Sequence, residues 1–286
     1  MIVRPAVIAA LTLSSMLSAQ TQAPPVFSSK VEVVRVDVLV TDKGQPLLGL
    51  TPADFEVFDN GVPQQVEFVS YDQIPLNVVL ALDMSDSVAG DRLEHLRAAG
   101  ASLLTGLKRN DQAALVTFSN RIALGAALTS DLQPLRDALE DVVGAGETSL
   151  VDGAYAGLTV GESDAGRALL IVFSDGLDTL SWLSPAAVLE TAKRSDVVVY
   201  GVSAGRTKSE FLRELTSFSG GRLFEMDKTA NLSATFLSIL EEFRRRYLVS
   251  YTPRGVSKDG WHRLEVRIKG KRAAAKARPG YLAGPG

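Results

Sequence analysis

The chain changes its hydrophobic rhythm twice. In the stretch 27–74, Val34, Val36, Val38 and Val40 alternate with Arg35, Asp37 and Thr41. That period of two predicts a strand with one buried face. Asp42-Lys43-Gly44 reads as a turn, and Thr51-Pro52-Ala53-Asp54 as one capped helical turn. Phe55 to Phe58 is a second strand, Asp59-Asn60-Gly61 predicts a hairpin, and Gln65 to Tyr71 is the expected return strand.

From Leu76 the pattern becomes apolar runs alternating with helical periods. Strands are predicted over Leu76–Leu82, Ala113–Ser119, Ile122–Leu128, Ala168–Phe173, Val197–Val202 and Arg222–Phe224. Helices are predicted over Arg92–Leu107, Leu132–Val142, Leu150–Val160, Pro185–Lys193, Glu210–Phe218 and Leu232–Arg246. This alternation implies an α/β, Rossmann-like unit over 75–247, a mostly parallel sheet flanked by helices.

The remainder, 248–286, returns to β character. Leu264, Val266 and Ile268 alternate with Glu265 and Arg267, after a strand at Tyr247–Tyr251. Each β end is marginal by itself. The expectation is that the two ends pair into one small β-sandwich, with the α/β unit inserted between its halves. The competing reading is an N-terminal β domain followed by a loose tail. Lys269, Lys271, Arg272, Lys276 and Arg278 read as a basic, solvated end.

Composition narrows the function. Hydrophobic residues make up 46% of 286, enough for a substantial core. The formal net charge of -3 gives no basic field for nucleic acid, so no nucleic-acid partner is expected. There is no cysteine, which excludes disulfides, thiolate metal sites and a cysteine nucleophile. Met1-Ile2-Val3-Arg4, the apolar Pro5–Leu17 and the small residues of Leu17-Ser18-Ala19 predict a signal peptide over 1–19. The apolar run is shorter than the ~20 residues a spanning helix needs. An exported protein is expected, in the periplasm, at the cell surface or outside, with no stable membrane span after cleavage.

Three clusters carry the chemistry. Asp83-Met84-Ser85-Asp86-Ser87 and Ser174-Asp175-Gly176 each follow an apolar strand, and Thr148 follows the turn Gly144-Ala145-Gly146-Glu147. Ligand sites in open α/β sheets lie at the carboxyl ends of strands, so the three loops can converge. Hydroxyl and carboxylate oxygens, without Cys or a nearby His, suit a hard cation. Each cluster also has a plain structural reading. Ser85, Asp86 and Ser87 can serve as N-cap residues, Ser149 to Asp152 fits a capping box, and Ser174-Asp175-Gly176 fits a strand-exit turn. Asp86, Asp152 and Asp178 read as solvated or structural acids.

The D-x-S-x-S of Asp83, Ser85 and Ser87, followed by Thr148 and then Asp175, resembles the metal-ion-dependent adhesion site of the von Willebrand factor type A (VWA) domain. The whole chain is similar to the VWFA-related acidobacterial domain family of secreted bacterial proteins. The resemblance implies Ser85 and Ser87 as direct metal ligands and Thr148 as direct or water-bridged. It implies that Asp83 and Asp175 often act through water. It implies Mg²⁺, or Mn²⁺ or Ca²⁺, as the ion, and a Glu or Asp side chain of a partner protein as its sixth ligand. The implied function is binding without catalysis.

Two alternatives belong to other classes. Gly201-Val202-Ser203-Ala204-Gly205 matches the G-x-S-x-G of serine hydrolases, with Asp227 and His262 following in a permissible order. No oxyanion-hole segment of the HGGG type precedes it. The other alternative is a metal-independent envelope scaffold.

Overall fold

The structure, a computed structural model, describes residues 33–71, 74–163, 166–205, 208–270 and 272–284. The expected signal peptide at 1–19 lies outside the described residues.

The α/β core contains β6 (Leu76–Asp83), β7 (Gln112–Phe118), β8 (Ile122–Thr129), β9 (Arg167–Ser174), β10 (Val198–Ala204) and β11 (Leu223–Met226). Their order across the sheet is β11-β10-β9-β6-β7-β8, parallel throughout except for β8. All eight residues of β6 and all eight of β9 are buried. That is the signature of central parallel strands covered on both faces. The covering helices are α1 (Asp91–Thr105), α2 (Gln133–Asp141), α3 (Leu150–Gly161), α4 (Pro185–Arg194), α5 (Glu210–Phe218) and α6 (Leu232–Arg244). One core layer joins Leu80, Leu82 and Phe173 to Leu96, Leu103, Phe236 and Phe243. The other joins Val79, Val116 and Leu170 to Leu158, Val188 and Leu212. Among the described residues no helix is long and apolar enough to cross a membrane.

The chain ends build two antiparallel sheets. The N-terminal half supplies β1 (Val34–Asp42), β2 (Gln45–Pro46), β3 (Phe55–Asp59), β4 (Val62–Gln64) and β5 (Phe68–Tyr71). The C-terminal half supplies β12 (Tyr247–Tyr251), β13 (Gly260–Ile268), β14 (Ala274–Lys276) and β15 (Gly280–Ala283). One sheet runs β14-β1-β12-β5, with β2 on β1; the other runs β15-β13-β3-β4. Each therefore interleaves strands from both ends, so neither half has a complete sheet of its own. Val34, Val36, Val38 and Val40 pack with Tyr247, Val249, Tyr251, Val57 and Leu264 in one core. A one-residue slip of β1 would turn Arg35 and Asp37 inward, which fixes the register.

Two expectations are corrected. The hairpin partner of β3 is Val62–Gln64, because the tight turn at Asn60-Gly61 leaves those residues directly opposite Val57–Asp59. Phe68–Tyr71 pairs with β12 in the other sheet. The C-terminal end is also not a loose tail: β14 and β15 join the two sheets, and although Lys269, Arg272 and Lys276 are exposed as expected, Arg278 is not. Arg278 is buried and donates to Ser195 O at 2.9 Å and Arg35 O at 2.7 Å, with Asp196 at 3.1 Å.

Inside the sandwich Asp59 is fully buried. Its Oδ2 accepts from Tyr251 Oη at 2.9 Å and Tyr281 Oη at 2.8 Å, and its Oδ1 lies 2.7 Å from His262 Nδ1. One carboxylate thereby ties β3, β12, β13 and β15 together across both sheets. Burial raises both tyrosine hydroxyls above their ordinary range, which keeps them protonated donors.

The sandwich abuts the amino ends of the parallel strands. Arg167, the first residue of β9, pairs with Asp37 of β1, and the two side chains are 3% and 7% exposed. Its Nε donates to Asp37 Oδ1 at 3.0 Å. Arg244, at the end of α6, pairs with Asp111 just before β7 at 2.6 Å. Lys193 lies over the rings of Phe218 and Trp261, and Trp261 of β13 meets Phe218 of α5 edge to face. Among the described residues, the sandwich does not reach the carboxyl ends of the sheet.

Removing one partner of a buried ion pair leaves the other charge uncompensated, at a cost of about 3–5 kcal/mol. Asp37→Ala is expected to lose about that much in urea denaturation, whereas Asp37→Leu combined with Arg167→Met recovers most of it. Deleting Tyr247–Gly286 removes the partners of β1 on both sides. Amide exchange in Val34–Val40 is then expected to lose its protection; retained protection would show an N-terminal β unit that folds without the other end.

Candidate metal centre

Three loops meet at the carboxyl ends of β6 and β9. Asp83 is the last residue of β6, and the strand burial that makes β6 central extends to it, so its carboxylate is fully buried. Asp83 Oδ1 accepts from Ser85 N at 2.9 Å and Oδ2 from Ser174 Oγ at 2.7 Å. Burial pushes the Asp83 carboxyl above the ordinary carboxylate range, and the neighbouring Asp175 charge pushes the same way. The hydrogen bonds from Ser85 and Ser174 act against them.

Ser85 Oγ and Ser87 Oγ are 3.1 Å apart, and Ser87 Oγ donates to Asp175 Oδ1 at 2.6 Å. The first and third loops are thus in direct contact through the predicted residues. The second loop is stitched to the first. Ala145 N donates to Met84 O at 2.8 Å, Asp86 N to Gly146 O at 2.9 Å, and Gly146 N to Asp86 Oδ1 at 2.9 Å. Gly144 permits this approach, because a Cβ there would stand 2.3 Å from Val88 O. Gly146 adopts a φ of 87°, which disfavours any side chain.

Thr148 is buried and bridges the second and third loops. Its carbonyl accepts from Thr179 N at 2.9 Å and Leu180 N at 3.2 Å. Its Oγ1 lies 3.6 Å from where a Cβ on Gly176 would sit. Asp83, Ser85, Ser87, Thr148 and Asp175 all therefore lie within one linked set of loops.

The oxygen set fits a hard divalent ion. Adjacent ligands of an octahedral ion with bonds of about 2.0–2.1 Å are about 3 Å apart, which the Ser85–Ser87 separation matches. Among the described residues no group of three or more His, Cys, Asp or Glu side chains could hold a metal.

Several contributors were not legible as site residues. Ser174 fixes the Asp83 carboxylate, although its only sequence signal is its place beside Asp175. Arg92, in the first turn of α1, reaches across to Asp175: its Nη1 lies 2.5 Å from Asp175 Oδ2 and 3.3 Å from Ser87 O. The sequence places Arg92 on a helix start and gives no hint of that reach. Asp86, Asp152 and Asp178 are structural. Asp152 accepts from Trp182 N at 3.0 Å and Leu183 N at 2.9 Å, and Asp178 Oδ1 from Val151 N at 3.2 Å.

The capping-box reading of Ser149–Asp152 is corrected. Ser149 makes no side-chain cap, and the amides of Val151 and Asp152 donate instead to Ser181 Oγ at 3.1 Å each. The third loop caps α3 from outside its own sequence.

The hydrolase constellation does not assemble. Ser203 is buried inside β10, opposite Ser174 and Glu225, rather than on an exposed turn. His262 belongs to the sandwich and is engaged with Asp59 and Tyr281. The other histidine, His95, lies 2.9 Å from Thr229 Oγ1.

Comparison with known proteins agrees with the architecture. Proximal thread matrix protein 1 from the mussel byssus, solved with a zinc-occupied MIDAS motif, superposes with a TM-score of 0.55 at 16% identity. The alignment covers 63% of this chain and 48% of that one. This chain thus spans about half the length of the mussel protein. A von Willebrand factor type A protein from Catenulispora acidiphila superposes with a TM-score of 0.55 at 12% identity, covering 80% of this chain and 72% of that one. At these identities the likeness is one of fold. No curated protein matches the sequence. The model of the von Willebrand factor type A domain matches residues 77–237, more than half of the chain. VWA domains are typically non-enzymatic modules of protein–protein interaction, and this chain belongs to the VWA family.

Proposed function

We propose that this VWA protein binds a partner protein through a divalent cation, Mg²⁺ or alternatively Mn²⁺ or Ca²⁺, held by Asp83, Ser85, Ser87, Thr148 and Asp175. The observation that carries this reading is the meeting of the D-x-S-x-S hydroxyls with Asp175 across two loops, at 3.1 and 2.6 Å. The zinc-occupied motif of the mussel relative supports a divalent ion on this fold.

Ser85, Ser87 and Thr148 would offer neutral oxygens to the ion. Asp83 and Asp175 supply the compensating charge. When bound, the cation supplies an electrophilic position for an anionic oxygen. Arg92 pairs with Asp175 and offsets part of that charge, which leaves the bound ion more electrophilic. The ligand that fits is a Glu or Asp side chain of the partner. Ser174 and the Ser85 amide hold the Asp83 carboxylate in place, which orients the site before anything binds. We also propose export to the periplasm, the cell surface or the medium, on the strength of the apolar Pro5–Leu17 leader.

Calorimetric titration with Mg²⁺ and Mn²⁺ tests the site. Weak binding is expected in the wild type, because most of the donors are neutral, and none in Asp83→Ala. Ser174→Ala is expected to lose about tenfold or more in affinity, as is usual when a ligand loses its orienting hydrogen bond. Equal heats in wild type and Asp83→Ala would refute the assignment. Metal-free Asp83→Asn keeps the bond from Ser85 N to Oδ1 and lets Nδ2 donate to Ser174 Oγ, without a buried charge. It is expected to melt above the metal-free wild type while binding no metal.

A fluorophosphonate probe is expected to leave Ser203 unlabelled, since no activating base is in reach. Stoichiometric labelling abolished by Ser203→Ala would favour the hydrolase. Partner capture that persists unchanged in chelator would instead favour a metal-independent scaffold.

A further inference from the structure

The third loop does more than present Asp175. Over Leu177–Leu183 it exposes a row of large apolar side chains. Trp182 is 93% exposed, and Leu177, Leu180 and Leu183 are exposed beside it. Tyr155, one turn along α3 from Asp152, is exposed as well. A tryptophan with almost its whole surface in water is costly, and contiguous exposed apolar side chains mark binding surfaces.

The loop backbone is firmly held. Thr179 and Leu180 are bonded to Thr148, Ser181 to the first turn of α3, and Trp182 and Leu183 to the Asp152 carboxylate. Ser181 Oγ also donates to Asp178 Oδ1 at 2.5 Å. Every backbone anchor of this apolar row is thus a bond to the loop or helix that carries Thr148. The row is also continuous in sequence with Asp175. A rigid aromatic anchor loses little entropy on binding, and tryptophan is enriched among residues that dominate interface energy.

Building on the metal-dependent reading above, we propose that Trp182, with Leu177, Leu180, Leu183 and Tyr155, forms an apolar docking surface contiguous with the metal centre. Its occupant is a partner segment that carries a bulky apolar side chain a few positions from the acidic residue that reaches the cation. The acid supplies orientation through charge. The apolar side chain supplies selectivity, because a lone carboxylate would not distinguish one acidic surface from another.

The test uses a displayed library of random peptides with one fixed glutamate, selected on the Mg²⁺-loaded protein and on Trp182→Ser. The side chain is exposed and makes no hydrogen bond or ring contact among the described residues, so the variant is expected to fold. Wild-type selection is expected to enrich Trp, Phe or Leu within about four positions of the glutamate. The variant is expected to bind those peptides about tenfold or more weakly while retaining binding of Mg²⁺ alone. Glutamate-dependent peptides without apolar enrichment, or equal affinity for the variant, would overturn the docking surface and leave the metal reading intact. Failure to select any peptide that requires both Mg²⁺ and the glutamate would overturn both. Sedimentation checks the other occupants. A dimer lost in Trp182→Ser would make a second copy the occupant, and Trp182-dependent pelleting with phosphatidylglycerol vesicles would make it a lipid surface. Either result overturns the proposal.

Discussion

A carboxylate buried at the end of a central strand constrains everything around it. β6 is covered on both faces along its whole length, so Asp83 leaves the sheet with its charge inside protein. Such a group must be hydrogen-bonded or neutralised. The Ser85 amide and the Ser174 hydroxyl meet this demand from two different strands, and both hydrogen bonds favour the charged form. The price of that burial is a carboxyl raised above its usual range. Burial and hydrogen bonding hold Asp83 before any ligand arrives, the preorganisation that a binding centre needs.

The opposite end of the sheet is organised by arginines. Arg167, Arg244 and Arg278 are buried and paired with Asp37, Asp111 and Asp196. Buried pairs are weak contributors to net stability, but they penalise every arrangement that separates them. Arg167 with Asp37, and Arg278 with Asp196, cross between sandwich and α/β core. Arg244 with Asp111 fixes the end of α6 immediately before β12 enters the sandwich. The chain therefore leaves one unit and enters the other through a set of matched charges. These contacts lie at the amino ends of the strands, opposite the loops that carry Asp83, Thr148 and Asp175.

The third loop links the two sides of the centre. It supplies Asp175, caps α3 and positions Trp182 from one continuous stretch. Its backbone donors are satisfied by Thr148 and Asp152, so the loop is tied to the helix carrying the second cluster. A change in any of these three clusters bears on the other two.

The strand-and-helix rhythm from Leu76 to Arg244 was fixed by local sequence. Apolar runs buried on both faces and helical periods buried on one are one-dimensional signals, and they survive without knowledge of neighbours. The convergence of the three clusters was legible because topology carries strand ends to one edge. The choice of Asp83, Ser85, Ser87, Thr148 and Asp175 within them came from their resemblance to the VWA adhesion site. Contacts between distant segments needed the tertiary structure. After β4 the chain crosses to the other sheet because Tyr247–Ser250 offers Phe68–Tyr71 a partner that local sequence does not reveal. Arg278 alone leaves the solvated basic stretch for the interior, because Asp196 and two carbonyls await it. The α3 cap comes from Ser181 rather than Ser149, and Arg92 reaches Asp175 from a different element. Periodicity records which face of an element is buried. It does not record which polar group stands opposite, and that is what the folded chain decided.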